Sequence, residues 1–103
     1  MSELEAAVVD RIRRAMLARN CRVINHHGSA YSRAGWPDLE VLVPRASRAA
    51  PKSPGPYTAF IEVKRPGERP TKIQLHHLQW LSDSGFRAGW AADVDRAMEI
   101  VFA

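Results

Sequence analysis

Two runs of alternating apolar and polar residues constrain the fold of this chain more than any other feature. They lie at residues 39–43 and 57–64. A period of two is typical of β-strands whose two faces meet different surroundings. Because side chains two positions apart lie on one face of a strand, Glu62 and Lys64 are expected to project together from the second run.

An acidic residue stands where the first run begins. Asp38 follows Pro37 and directly precedes the apolar residues. Carboxylate oxygens are the ligands that Mg²⁺ prefers, and an ammonium group beside such an ion helps to orient water or to stabilise developing charge. Asp38, Glu62 and Lys64 together therefore point to cleavage of a phosphodiester bond. Taken singly, Asp38 also fits an ordinary turn, and Glu62 with Lys64 also fits a solvated strand edge with a weak ion pair.

Helical spacing and turn residues predict the remaining secondary structure. In chain order, the elements are a helix at 3–18, strands at 21–25, 39–43 and 57–64, a helix that opens at 70–71 and stops before Gly85, a strand at 86–92 and a helix capped by Asp93. This α-β-β-β-α-β-α order places the chain in the α/β class.

The first helix is expected to bury one face. Its apolar residues recur at helical spacing, through Leu4, Val8, Ile12, Ala15 and Met16. At about 100° per residue, Glu5 falls inside this apolar sector. An acid in that position needs a partner, either in a functional site or as an ion pair with Arg13 or Arg19.

Length and composition limit the class of protein. A chain of 103 residues is expected to form a single domain, residues 1–103. Residues 44–56 are rich in Pro, Ala and Ser, which predicts a flexible surface loop. A single cysteine, Cys21, excludes an intrachain disulfide and fits a reducing compartment. No apolar run is long enough to span a bilayer, so a soluble, cytoplasmic protein is expected.

The balance of charge permits a nucleic-acid partner. Lys and Arg number 15 against 11 Asp and Glu, and the cations are mostly arginine, which suits bidentate contacts to phosphate. The cations on connections near the predicted site are the candidate DNA contacts: Arg33, Arg65, Arg69 and Lys72. Trp36 is a candidate for stacking on bases because it lies next to Asp38 in the sequence, whereas Trp80 and Trp90 are expected to be structural.

Three motifs of the chain occur together in one order. They are Gly35-Trp36-Pro37-Asp38, Glu62-Val63-Lys64-Arg65-Pro66-Gly67 and Gln74-Leu75-His76-His77-Leu78-Gln79-Trp80-Leu81. Their order and spacing resemble the virus-type replication-repair nuclease (VRR-NUC) family, a branch of the PD-(D/E)xK restriction-endonuclease-like superfamily. The resemblance implies a restriction-endonuclease-like core, in which a mixed sheet is flanked by helices.

The resemblance also implies a set of metal ligands. Asp38 and Glu62 would bind Mg²⁺, or Mn²⁺ in its place, together with the carbonyl oxygen of Val63. A glutamate on the first helix completes the set. Glu5 is favoured over Glu3 in this role because the helical periodicity favours it as well.

Two further residues receive roles from the resemblance, Lys64 as a catalytic residue and Gln74 as a support for the site. From the residues alone, Lys64 can act either as a proton acceptor or as a stabiliser of charge. Gln74 has a second interpretation, because the segment from Thr71 to Gln74 has a capping-box pattern in which the Gln74 side chain returns to the Thr71 amide. Both alternatives stay open.

The implied function is that of a metal-dependent DNA endonuclease that hydrolyses phosphodiesters. Small stand-alone members of the family resemble Holliday-junction resolvases that act as homodimers, so branched DNA is the expected substrate and a homodimer the expected assembly. Two alternatives stay open, a nuclease specific for flaps or linear duplex and a non-catalytic DNA-binding module. The expected location is the cytoplasm of a bacterium, or that of the host cell if the chain is viral.

Overall fold

The computed structural model describes residues 3–26, 34–45 and 55–103. In these ranges it contains three helices and four strands in the predicted order, so the expected α/β class is confirmed. The elements are α1 Glu3–Leu17, β1 Arg22–Asn25, β2 Leu39–Val43, β3 Tyr57–Val63, α2 Lys72–Asp83, β4 Arg87–Ala91 and α3 Val94–Phe102. Most of the loop predicted at 44–56 lies outside the described residues, and its flexibility stays a prediction.

The described strands form one mixed sheet in the order β1-β2-β3-β4. β2 pairs antiparallel with both β1 and β3, whereas β3 and β4 are parallel, and α2 provides the crossover that a parallel pair needs. Leu39 at the start of β2 lies opposite Ile61 near the end of β3. Because the pairing is antiparallel, Asp38 is brought next to Glu62.

One face of the sheet carries the main apolar core. α1 and α3 pack against this face, where their side chains meet alternate residues of the strands. Ala59, Ile61 and Val63 of β3 are buried there. Gly89 of β4 lets α3 approach closely, because a Cβ at this position would lie 2.9 Å from the Cδ1 atom of Ile100. Burial of each large aliphatic side chain contributes roughly 1.5–3 kcal/mol before the entropy cost of folding.

The buried face of α1 is centred on a different direction from the predicted stripe. Its buried residues are Val8, Val9, Ile12 and Met16. Leu4 is 61% exposed, and its prediction as a core residue was wrong. At about 100° per residue, Leu4 points about a quarter-turn away from the centre of the buried residues, whereas Glu5 points along that centre.

The opposite face of the sheet carries a smaller aromatic layer beside α2. Phe60 projects to this face because it alternates with the core residues of β3. Its ring packs edge-on against Trp36 and Phe86, with centroids 5.7 Å and 5.6 Å away. α2 reaches this layer through His77, whose ring lies 5.6 Å from that of Trp36. The predicted arrangement of a mixed sheet flanked by helices is therefore confirmed.

The ends of α2 and α3 follow the signals in the sequence. Thr71 and Asp93 are the N-caps, and each accepts a hydrogen bond from the backbone amide three residues later. Gly85, with a φ of +96°, follows α2 in the left-handed conformation that glycine adopts most easily. No helix in the described ranges is both long and apolar enough to cross a membrane.

Candidate active site

Three charged side chains are buried in the part of the chain that the structure describes, and all three belong to the predicted site. Asp38 is 8% exposed, Glu62 2% and Lys64 9%. Burial of a charge is costly unless other groups compensate for it. The pairing of β2 with β3 brings Asp38 beside Glu62, and the alternation along β3 puts Lys64 on the same side as Glu62.

Hydrogen bonds hold Asp38 from two sides. Its Oδ2 atom accepts a hydrogen bond of 2.9 Å from the Val63 amide. Its backbone carbonyl accepts one of 2.7 Å from the His26 amide. Pro37, which is fully buried, restricts the backbone just before it. The main chain on either side of β2 therefore orients the Asp38 carboxylate towards the end of β3.

Glu62 is the most strongly perturbed acid of the group. The pKa of Glu62 is raised to about 9. Burial is the largest cause, hydrogen bonding to Asp38 and the charge of Asp38 also raise the pKa, and the Lys64 ammonium lowers it. Its Oε2 atom is buried and has no hydrogen-bond partner among the described residues. Both desolvation and a neighbouring like charge disfavour the anion. The positive charge near Asp38 and Glu62 is therefore too small to stabilise both carboxyl groups in their ionised form.

α1 brings a third acid to this place. Burial raises the pKa of Glu5, a hydrogen bond to Glu68 and the charges of Glu68 and Asp38 raise it further, and Lys64 lowers it. These interactions put Glu5 within electrostatic reach of the buried residues. Glu3 is exposed. Of the two candidate glutamates, Glu5 is the one that lies at the site, and its role as a metal ligand stays a prediction.

A fourth acid, Glu68, was not predicted. The segment from Arg65 to Glu68 closes with a hydrogen bond of 3.1 Å between their backbones, and Gly67 has a φ of +86°, as in a type II turn. The Glu68 carboxylate lies 3.8 Å from Lys64 Nζ and 3.3 Å from Arg65 Nε. The Pro-Gly sequence signals the turn, but nothing in it shows that the Glu68 side chain folds back onto Lys64.

The four acids meet in pairs. Within residues 3–26, 34–45 and 55–103, no three acidic, histidine or cysteine side chains are gathered closely enough to hold an ion as they stand. Asp38 interacts with Glu62, Glu5 interacts with Glu68, and Lys64 lowers the pKa of both Glu62 and Glu5. A cation would have to draw the two pairs together. The role predicted for the Val63 carbonyl stays a prediction.

Gln74 takes part in the capping box at the start of α2. Its Oε1 atom accepts a hydrogen bond of 2.8 Å from the Thr71 amide, and Thr71 Oγ1 accepts one of 3.3 Å from the Gln74 amide. The capping interpretation of this segment is therefore confirmed. Support of the active site by Gln74 stays a prediction.

The candidate DNA-binding residues have different surroundings. Arg65 pairs with Glu68, Arg69 and Lys72 are exposed, and Trp36 is half-buried in the aromatic layer. Arg33 lies outside the described residues. Contact of these residues with DNA therefore stays a prediction.

The expectation that Trp80 is structural was wrong. Its side chain is 58% exposed on α2, whereas Trp90 is half-buried in β4 next to Glu62 of β3. An unpredicted polar pair joins the first two strands, with His26 Nε2 lying 2.7 Å from Glu40 Oε1. Trp80 points about 130° away from the centre of the buried residues Leu78 and Leu81, so helical spacing itself indicates its exposure, and the expectation rested only on the general tendency of tryptophan to pack.

The fold and the motifs agree with a known family. The family model of the VRR-NUC domain matches residues 1–94. The chain belongs to the VRR-NUC family of nucleases. Membership confirms the resemblance that the three sequence motifs indicated, and the match includes every described residue of the candidate site.

Two solved structures share the architecture of this VRR-NUC chain. One, described as a VRR_NUC domain, has a TM-score of 0.70 and 20% identity, and the match covers 97% of this chain and 96% of that one. The other, described as a VRR_NUC domain protein, has a TM-score of 0.61 and 19% identity over 96% of this chain and 82% of that one. At these identities the likeness concerns the fold alone. No match is found among the curated proteins.

Proposed function

We propose that the protein is a metal-dependent DNA endonuclease that hydrolyses phosphodiester bonds. The observation that carries this proposal is the burial of Asp38, Glu62 and Lys64 beside one another. Membership of a nuclease family supports the class of reaction. A module that only binds DNA has no use for two neighbouring buried acids, one of which, Glu62, has its pKa raised to about 9 by burial first and by Asp38 in addition.

The chemistry of the buried acids fits a hard divalent cation. Glu62 Oε2 has no hydrogen-bond partner among the described residues, and Asp38 and Glu62 repel each other when both are ionised. Mg²⁺ takes carboxylate and carbonyl oxygens as ligands, and a bound cation favours the ionised acids. We assign Asp38, Glu62, Glu5 and the Val63 carbonyl as the ligands, with Mn²⁺ as a substitute for Mg²⁺.

The residues around these ligands have separate tasks in the proposed reaction. When bound, the ion polarises the scissile phosphate and acidifies a water molecule. The Val63 amide holds the Asp38 carboxylate in a fixed orientation before substrate arrives, which lowers the cost of reorganisation during the reaction. Lys64 supplies a positive charge that orients the attacking water or stabilises the negative charge developing on the phosphate. Glu68, 3.8 Å away, restrains the Lys64 ammonium group.

Branched DNA is the substrate that we propose. The net charge of +4 favours a polyanionic partner. Two symmetric cuts in a four-way junction need two active sites, and one chain supplies one, so a homodimer is part of the proposal. The proposed DNA contacts are Arg33, Arg65, Arg69 and Lys72 on the phosphates and Trp36 on a base.

The decisive test is cleavage of a labelled four-way junction with and without Mg²⁺. We expect paired incisions that require the metal. Lys64→Ala and Asp38→Asn should each lower the rate by at least about 10²-fold, because each removes a group from the reacting centre. Arg96→Ala, which removes an exposed cation from α3, is the matched control and should cleave normally. Junction binding without metal-dependent incision would reject the proposal.

The alternatives give different results in two further measurements. A panel of junction, flap and linear duplex substrates separates the nuclease specificities, since the chemistry is common to all three. Calorimetric titration with Mg²⁺ separates a nuclease from a non-catalytic DNA-binding module. The nuclease should take up Mg²⁺ in a manner that Asp38→Asn abolishes, whereas the module should bind DNA in a salt-dependent manner without any such uptake.

A further inference from the structure

Four aromatic side chains line an open cleft on the surface of the protein. Trp36, His76, His77 and Trp80 surround a volume of about 330 Å³. Trp80 is 58% exposed although it has the largest apolar surface of any side chain type. His76 precedes Trp80 by one turn of α2, so the two rings lie on the same side of the helix.

One wall of this aromatic cleft, formed by Trp36 and His77, is held in place by several contacts. The Trp36 ring packs edge-on against Phe60 at 5.7 Å and against His77 at 5.6 Å. His77 Nε2 lies 3.0 Å from the carbonyl oxygen of Ala34. The sequence near Trp36 also contacts the start of α2, because a Cβ at Gly35 would lie 2.9 Å from the Ile73 side chain. This wall of the cleft is therefore preformed, which lowers the entropy cost of binding a ligand.

The aromatic cleft lies beside the buried acids on the same face of the sheet. Phe60 and Glu62 are two residues apart in β3 and project to one face, roughly 7 Å apart along the strand. Trp36 packs on Phe60 and precedes Asp38 by two residues. A group that enters the cleft from a bound nucleic acid is thus within a nucleotide or two of a phosphate at Glu62.

The composition of the cleft suits a flat aromatic ligand that is joined to an anion. Exposed tryptophan and histidine rings offer faces on which a base stacks, without hydrogen-bond readout of its identity. Lys72 is exposed one turn before His76, on the same side of α2, so a cation stands at the edge of the cleft, and lysine is a common contact to phosphate. The chain as a whole carries a net charge of +4, which favours an anionic ligand.

We propose that the aromatic cleft binds one unpaired nucleobase of the DNA substrate next to the scissile phosphate. The inference rests on the proposed nuclease function, and it specifies the substrate as DNA with an unpaired or splayed nucleotide at the point of cleavage. Bases in a continuous duplex are stacked on their neighbours and do not enter such a cleft. A flap or a frayed end presents such a base directly, and a four-way junction, whose bases are paired, presents one when the nucleotide at the point of strand exchange is splayed out.

Binding without cleavage tests the cleft by itself. Fluorescence anisotropy in a chelator compares a duplex that carries a short thymidine flap with the same duplex fully paired. Trp80→Ala should weaken binding of the flap substrate about 5- to 150-fold, the loss expected for one stacked base, and leave the paired duplex unchanged. Trp80→Phe should retain most of the affinity and Trp80→Leu should not, because only the former keeps an aromatic face.

Leu75→Ala is the matched control, since it removes an exposed apolar side chain from the same helix outside the cleft. Equal losses on flap and paired duplex, or full affinity in Trp80→Ala, would overturn the inference, as would equal binding by the Phe and Leu variants. Incubation of the junction, the flap and the linear duplex with Mg²⁺ then separates the two proposals. Trp80-dependent binding without cleavage of any of the three rejects the nuclease function and leaves the cleft as a site for an unpaired base, whereas cleavage without Trp80-dependent binding rejects the cleft alone.

Discussion

Glu62 keeps its proton at neutral pH in the metal-free protein, because its pKa of about 9 lies far above the ordinary value of 4.5. In the unfolded chain the same group ionises near its ordinary value. Between these two values the folded state binds the additional proton. The stability that Glu62 contributes is therefore fully present below pH 4.5 and is lost as the pH rises through about 9. The metal binding proposed above would need the ionised Glu62, and that anion is the form that destabilises the metal-free fold.

We expect Glu62→Gln to stabilise the metal-free protein at pH 8, because the amide keeps the shape of the carboxyl group without its titration. A gain of about 1 kcal/mol or more corresponds to a rise in Tm of about 4–8 °C for a domain of this size. Calorimetry in a chelator should show the gain shrinking as the pH falls towards 4.5. Glu99→Gln, on the exposed side of α3, should leave Tm nearly unchanged at every pH. A lower Tm for Glu62→Gln throughout this range would contradict the burial argument.

At the scale of elements, the first turn of α2 connects stability to the site. The capping box between Thr71 and Gln74 fixes where the helix begins. That turn also carries Ile73 against Gly35, in the segment that leads to Asp38. The start of α2 therefore packs against the segment that leads to Asp38, without contacting Asp38 directly in any hydrogen bond given above.

Substitutions in the capping box separate the two interpretations of Gln74. Thr71→Ala and Gln74→Ala should each lower the free energy of unfolding by about 1 kcal/mol, and Gln74→Glu should not, since glutamate completes the same box. If Gln74 acts only in the capping box, Thr71→Ala and Gln74→Ala should lower the cleavage rate by the same small factor. The rate is measured at a temperature well below the Tm of both variants. A loss in Gln74→Ala many times larger than in Thr71→Ala would instead assign Gln74 to the reacting centre. Denaturant unfolding and single-turnover cleavage measure the two effects.

Sequence patterns predicted the elements better than their contacts. Alternation in β3 placed Glu62 and Lys64 on one face because the backbone geometry of a strand leaves no other arrangement. The burial of Leu4 was predicted wrongly because a helical stripe can be centred on several directions, and the sheet decides which one is buried. The exposure of Trp80 follows from its direction on α2, away from the buried residues of that helix, and was missed because tryptophan was expected to pack. Glu68 was missed because its position depends on how a turn lies against distant segments. Such long-range contacts leave no periodic signal in the sequence.

At the scale of the whole molecule, the candidate site is assembled from remote parts of the chain. Glu5 comes from the first helix, Asp38 from the entrance to β2, and Glu62 from the end of β3. Two solved structures with 20% and 19% identity share this architecture. Among the described residues, these three acids of a single chain lie together at one place. In the proposed homodimer, two complete sites would therefore act on one substrate molecule.

Mixed dimers test this arrangement. A plasmid that extrudes a cruciform should be linearised by the wild-type protein, because two sites cut opposite strands during one encounter. With an excess of Lys64→Ala subunits, most wild-type chains should be paired with an inactive partner that binds DNA but does not cut. The product should then shift from linear plasmid to nicked circles, whereas an excess of Arg96→Ala subunits should still give linear product. If linear product merely declines in proportion to the wild-type fraction and no nicked circles accumulate, the paired-site arrangement is wrong, because a dimer with one active site leaves one strand uncut.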